Sequence, residues 1–353
     1  MKIRSVSGLL FIALFALVIA SFTGFNVVMV GGVMLAASFI NTPTGVFNLG
    51  NPQVWENDIL KNLFKNNDFA KRAYNADQYV LATKVVHIPR AGKPSAVTKN
   101  LTQFPAAAVV RADDDVTYPI DSFYSTPRVI PQIDSYELSY DKRQSAVGED
   151  TQNLIDTCMD GLLYNWGPLV LNTVLTTGPS GPATLPGATG SRLGVTSASL
   201  QKIKIQMDKA KIMAAGRVVL FTADHYNQFF NQLTEGEKTN FGRVANVATG
   251  IVGNYLGFDI MMRSTVLRYR GADAAITKVD EYDPAFATSD QSLDRAASLV
   301  YNDMCAERAF GAVEMFEQAN HPGYYGDVFS FLLRMGGRIR RDAGVWAIVE
   351  AEG

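Results

Sequence analysis

The chain has 353 residues, 47% apolar and 19% charged, with a formal net charge of −2. That length fits two domains or one large domain with insertions, and the composition supports a packed core and excludes global disorder. Near-neutrality argues against a general polyanion binder, which shows a basic excess or patch.

From the N-terminus, no Asp, Glu, Lys or Arg occurs between Arg4 and Glu56. Residues 9–22 are almost wholly apolar, and residues 27–40 form a second apolar run broken by Gly31 and Gly32. Lys2 and Arg4 precede the first run, as in a signal peptide, although that run is short for a membrane span. Three readings stay open for residues 1–50: an upstream extension of a chain that starts at Met29 or Met34, an export or membrane segment over residues 5–40, or a processed arm. Residues 51–74 place Trp55, Ile59, Leu60, Leu63 and Phe64 at amphipathic-helix spacing.

Residues 83–143 change character. Short β-type runs at 84–89, 116–120 and 126–133 carry prolines inside or beside them, which confines them to edge strands or solvent-facing ribbons. Between them lies a mostly polar stretch, 91–115, longer than a compact enzyme tolerates without structure. Asp113, Asp114 and Asp115 lack the glycine and distal glutamate of a calcium loop, so they are read as a solvated turn or an intersubunit charge contact. Asn100 and Thr102 form a glycosylation acceptor only in a secretory context.

A strong helix is expected over 148–174, with Leu154, Cys158, Leu162 and Trp166 in one row, Ile155, Met159, Leu163 and Val170 in the next, and Pro168 bending or ending it. Residues 178–190 read as a flexible, uncharged surface loop and not as a phosphate loop. Residues 196–215 form a second helix capped by Thr196 or Ser197. Gly216 and Arg217 lead into a buried-type strand at 218–222, and Asp224 is the expected cap of a short helix holding Tyr226, Phe229 and Phe230. Gly250, Gly253 and Gly257 lack dinucleotide-loop spacing and precede a strand beginning at Phe258. Residues 303–318 are expected to be helical. Two closing strands, 329–341 and 344–349, are expected around a tight turn at 342–344.

No residue in this succession looks like a catalyst: no Gly-x-Ser-x-Gly elbow and no HExxH occurs. The cluster Asp280, Glu281 and Asp283 reads as solvated. Cys158 and Cys305 lack disulfide or zinc spacing and read as buried, reduced packing residues. His87, His225 and His321 lie far apart with no ligand at helical spacing. No catalytic, cofactor-binding or metal-binding residue is therefore assigned.

The order helix, Gly216-Arg217, apolar strand, short helix, Gly253-Asn-Tyr-Leu-Gly257-Phe258, closing strand pair resembles the major capsid proteins of tailed bacteriophages, the HK97-like shell fold. The resemblance lies in order and pattern over residues 51–350. It implies an α+β fold with a long spine helix, an extended β-arm (the E-loop), and peripheral and axial domains. The implied divisions are a hydrophobic segment at 1–50, an N-terminal arm and helix at 51–82, the E-loop at 83–143, a peripheral domain with the spine helix at 144–215, an axial domain at 216–300, and a return to the peripheral domain at 301–353. The implied function is a structural subunit, not an enzyme. It would self-assemble through hexamers and pentamers into an icosahedral head enclosing phage DNA, with separate scaffold, portal and decoration proteins as partners. The implied location is the virion, after assembly in the host cytoplasm. Arg338, Arg340 and Arg341 are read as an interface or surface charge cluster ahead of a weak contact with packaged DNA. Two rival readings remain: an encapsulin-like compartment shell, and an exported, membrane-tethered binding protein if the N-terminal segment is a genuine anchor.

Overall fold

The computed structural model describes residue 59 and residues 67–81, 84–90, 99–100, 114–131, 142–243, 245–246 and 249–353. The hydrophobic segment 1–50, most of the helix expected over 51–74, the acceptor at Thr102 and Asp113 lie outside the described residues. No described helix is long and apolar enough to cross a membrane.

A short helix (Asp68–Lys71) leads into β1 (Tyr74–Asn75), so the chain is already extended where the expected helix ends. Strands β2 (Val80–Leu81), β3 (Val85–Arg90) and β4 (Asp114–Pro119) form a separate antiparallel ribbon in that order. Strands β5 (Asp121–Tyr124) and β6 (Arg128–Pro131) follow. The prolines fit this placement, because edge positions leave a missing N–H without a ladder partner to disappoint.

Helix α1 (Lys142–Trp166) is about 37 Å long at 1.5 Å per residue. It begins six residues before the expected start, and it stops before Pro168, which cannot continue the ladder. Leu154, Ile155, Cys158, Met159, Leu162, Leu163 and Trp166 are all buried, while Val170 falls beyond the helix in a 3-10 turn. Lys278 Nζ donates to the Tyr164 carbonyl at 3.1 Å and the Gly167 carbonyl at 3.3 Å, satisfying the helix end.

Next come β7 (Thr173–Leu175) and a small hairpin, β8 (Ser180–Pro182) with β9 (Ser191–Leu193). The loop read as flexible is thus part of a paired element. It is tied to distant chain by Thr189 N–H donating to the Ser292 carbonyl at 3.1 Å. Helix α2 (Ser197–Lys209) buries Leu200, Ile203 and Met207. Strand β10 (Arg217–Thr222) is buried throughout. Helices α3 (Ala223–Gln232) and α4 (Glu235–Gly242) follow. The cap of α3 is Thr222, whose hydroxyl accepts the His225 N–H at 3.2 Å; Asp224 sits in the first turn instead, where its charge suits the helix dipole.

Strands β11 (Gly253–Tyr255) and β12 (Phe258–Arg263) form a hairpin in which Tyr255 opposes Phe258. Its two turn residues, Leu256 and Gly257, both have positive φ, 52° and 85°. That is the twist-matched two-residue turn, and it explains the glycine at position 257. Strands β13 (Leu267–Arg270), β14 (Thr277–Lys278) and β15 (Asp294–Asn302) follow, then β16 (Ala306–His321), β17 (Gly326–Ile339) and β18 (Val345–Val349).

The helix expected over 303–318 is a correction. Those residues form most of β16, which pairs antiparallel with β17 along nearly its whole length. Spacings of three and four between Ala306, Ala309, Ala312, Val313 and Phe316 suggest a helix. From Glu314 onward, however, exposure alternates residue by residue, the period of a strand. Cross-strand pairing overrides the helical propensity of an Ala- and Glu-rich run.

Two sheets result. One runs β1-β16-β17-β5, with β6 also on β17, and carries α1 against β17. The other has eight strands in the order β11-β12-β10-β15-β13-β14, with β18 on the far side of β15 and β7 beyond it. The turn expected at 342–344 is present as a 3-10 turn, Asp342–Gly344. The strands it joins belong to different sheets, so the last strand enters the eight-stranded sheet instead of staying beside β17.

Candidate functional site

Of the three basic residues singled out by their spacing, two share one carboxylate and the third turns away. Glu307 on β16 is buried; one of its oxygens accepts a hydrogen bond from Arg338 Nε at 3.1 Å, and the other forms an ion pair with Arg340 Nε at 3.2 Å. Alternation does place Arg338 and Arg340 on one face, but that face is turned inward on a carboxylate of the same chain. Each guanidinium also covers a ring, Arg338 over Tyr118 at 5.4 Å and Arg340 over Tyr74 at 3.8 Å. Tyr118 belongs to β4, so this cluster fastens the ribbon β2-β3-β4 to the root of the long hairpin. Burial, then the Glu307 charge, raise the Tyr118 phenol. Arg341 points elsewhere and donates to the Ala210 carbonyl at 2.8 Å.

A second clasp joins α1 to the eight-stranded sheet. Arg263, at the end of β12, pairs with Asp160 on α1, and the Tyr282 hydroxyl donates to the other Asp160 oxygen at 2.8 Å. Burial and then Asp160 push the Tyr282 phenol up to about 12. The acidic cluster is largely structural. Glu281 accepts Arg268 Nε at 2.8 Å, and Asp280 and Asp283 accept the N–H groups of Tyr282 and Ala285, both at 2.9 Å.

Sequence reading missed β15, the central strand, and with it a buried ionic seam. Asp294 is buried and is gripped by Arg268 at 3.0 Å and Arg270 at 2.5 Å. Arg295 is buried and pairs with Asp273 and, at 2.5 Å, with Glu352. Nearby, His225 Nδ1 lies 2.7 Å from Ser298 Oγ, and His225 Nε2 lies 3.3 Å from Glu350 Oε1. Serine, imidazole and carboxylate thus stand in the order of a hydrolase triad. All three side chains are buried, and the Ser298 oxygen already accepts the Thr222 N–H at 3.3 Å. With the hydroxyl sealed between β10 and β15, the chemistry available is a hydrogen-bonded lock, not acyl transfer. Glu350 also accepts the Thr184 hydroxyl at 2.8 Å and the Ala296 N–H at 3.3 Å, so the lock spans α3, β15, the β8–β9 hairpin and the C-terminal strand.

The cysteines are free and buried, and burial raises both thiols, as expected of packing residues. Among the described residues, no three His, Cys, Asp or Glu side chains are grouped to hold a metal ion.

Unlike these satisfied interior groups, several large apolar side chains face outward. Leu171, beyond the end of α1, is 92% exposed, and Tyr325, at the tip of the β16–β17 hairpin, is 83% exposed; Leu169, Phe316 and Tyr324 accompany them.

No protein-family model matches the chain, and no curated protein matches its sequence. Solved structures do match in fold. The capsid of Ralstonia phage GP4 is 12% identical with a TM-score of 0.53, covering 80% of this chain and 87% of that one. The capsid structure of Cyanophage P-SCSP1u is 16% identical with a TM-score of 0.52, over 80% and 87%. A chain of Mycobacterium phage Che8 is 16% identical with a TM-score of 0.51, over 79% and 90%. Matches at that coverage give the chain the α+β, HK97-like fold found in those phage capsids.

Proposed function

We propose that the chain is a major capsid protein, a subunit that self-assembles through hexamers and pentamers into an icosahedral head enclosing phage DNA. The observation that carries this is the fold match to phage capsids over about four-fifths of the chain. Two features of the molecule support it. The ribbon β2-β3-β4 forms a sheet of its own, fastened at its root by Tyr118 and Arg338, which suits a strap laid over a neighbour. Large apolar side chains stand exposed at the hairpin tip and past α1, where a free-standing monomer gains nothing from them.

In this reading β3 and β4, within residues 83–143, supply the strap, and β5 and β6 of that stretch stay on the long hairpin. The α1 layer and long hairpin form the peripheral part, and the eight-stranded sheet the axial part. Partners are further copies of the chain, with separate scaffold, portal and decoration proteins. Contact with DNA is weak, as the near-neutral charge suggests. The location is the virion, after assembly in the host cytoplasm.

The test is expression of the chain, both complete and from Met34, followed by gradient sedimentation and negative-stain microscopy. Shells, tubes or five- and six-membered rings are expected. A monomer that stays monomeric at high concentration and high salt overturns the proposal.

A further inference from the structure

Helix α2 has apolar side chains on two faces where a surface helix needs one. Leu200, Ile203 and Met207 are buried inward, but Ile205 lies exposed on the opposite face. The chain leaving α2 adds Met213, 66% exposed, and the turn after β15 adds Met304, 54% exposed. Asn302 donates to the Met213 carbonyl at 3.2 Å, which brings both methionines to one corner. The corner is also cationic: Lys209 and Lys211 are exposed there, and Arg341 is held on the Ala210 carbonyl. None of these three has a carboxylate partner among the described residues, and the nearby Asp208 is already shared by Lys204 and Arg217.

The complementary surface lies on the same chain. Asp280 and Asp283 flank the half-exposed Tyr282 in the chain, and the exposed Asp290 follows on the same segment, which leads into β15. The three carboxylates shape their own turns by accepting the N–H groups of Tyr282, Ala285 and Ser292, each at 2.9 Å. Hydrogen bonds from the Ser292 backbone and hydroxyl hold the Asp290 carboxyl below its usual range, so it stays ionised.

These two surfaces cannot meet within one chain. Strand β15 pairs on one side with β10 and β13, and on the other with β18, which pairs in turn with β7. The acidic segment follows β14, at the β13 edge and the Asp294 end of β15. Helix α2 packs on β7 and on the turn before β18, and the corner it forms sits at the Asn302 end. The separation is four strand spacings, about 19 Å, across the sheet and about 27 Å along it.

We infer that the basic, methionine-bearing corner of one copy docks on the acidic, tyrosine-bearing segment of the next, Lys209, Lys211 and Arg341 meeting Asp283 and Asp290. The inference rests on the shell reading above and names the faces that mate in it. Because the two faces differ, the contact is head-to-tail, the kind that closes into rings. A second copy is favoured over nucleic acid because a phosphate backbone would leave Ile205, Met213 and Met304 uncovered.

The test uses the full chain. Carbodiimide joins amines to carboxylates in contact, so assembled particles of mixed light and heavy isotope should yield Lys209 or Lys211 linked to Asp283 or Asp290 between copies. Lys209→Glu with Lys211→Glu, at exposed helix-end positions, should cut the sedimenting assembled fraction about tenfold while leaving thermal melting unchanged. Adding Asp283→Lys and Asp290→Lys to that variant should restore most of it. Linkage of these lysines only to other carboxylates, or normal assembly of the glutamate variant, overturns the inference and leaves the shell reading standing. So does a variant that assembles normally but carries less nucleic acid, since that outcome assigns the corner to DNA. If the parent chain forms no particles at all, the shell reading itself fails.

Discussion

Arg217 is buried but not idle. Its guanidinium donates to the Ile212 carbonyl at 2.7 Å, the Met213 carbonyl at 3.0 Å and Asp208 at 2.7 Å. Those carbonyls belong to the chain leaving α2, so the arginine serves as a remote cap for that segment. The Gly216-Arg217 pair therefore marks the passage from helix to buried strand for a physical reason. Arg217→Met should cost roughly 2–3 kcal/mol, read from the urea midpoint, because two buried carbonyls lose a charged donor. The hydrogen bond from Lys204, then that from Arg217, hold the Asp208 carboxyl below its usual range. A depressed carboxylate contributes stability above its unfolded pKa and loses it as pH falls through the folded one. Asp208→Asn should accordingly cost about 1 kcal/mol at neutral pH, a modest figure because the carboxylate is partly solvated. The difference from the parent should close as pH drops below about 4, in parallel denaturant titrations.

Among elements, α1 and the long hairpin meet with no room for a side chain at Gly337. A Cβ on Gly337 would lie 2.5 Å from the Glu307 carbonyl oxygen and from a Leu162 methyl, and 2.8 Å from Trp166 Nε1. The Trp166 indole donates to that same carbonyl at 2.8 Å. Gly337→Ala should thus lower stability by about 1–3 kcal/mol through overpacking, seen as a lower melting temperature. Helix α1 was legible because its apolar stripe repeats at 3.6 residues and a proline follows it. Strand β10 was legible as a short, wholly apolar run. By contrast, β15 carries Asp294 and Arg295 in its first two positions, and no local pattern announces a buried strand that opens with two charges. Their neutralising partners, Arg268, Arg270, Asp273 and Glu352, are far off in sequence. Strand β16 was misread because alanines at helical spacing masked an alternation that only β17 enforces.

For the whole molecule, the buried charges named above are paired, while large apolar side chains stand uncovered on the outer surface. Interior carboxylates such as Glu307, Asp294 and Glu350 have dedicated donors, whereas large apolar groups project at the hairpin tip. Tyr325 has a positive φ, 50°, a conformation that aspartate tolerates better than most residues. Tyr325→Asp should leave the melting temperature within about 2 °C of the parent, as exposed substitutions do. It should nevertheless reduce the yield of sedimenting particles. Unchanged particle yield would remove the hairpin tip from the assembly surface.

The sequence by itself determined the long helix ending before Pro168, the buried strand after Gly216-Arg217, the strand beginning at Phe258 and the edge character of the proline-rich runs. Each rests on local periodicity or on the backbone limits of a single residue. Only the tertiary structure decided that residues 303–318 are a strand and that Arg338 and Arg340 serve Glu307. It also decided that the acidic cluster builds turns, and that a serine, a histidine and a glutamate form a sealed lock. Those outcomes depend on partners distant in the chain, and a charge or a hydroxyl acquires its role only when folding fixes what faces it.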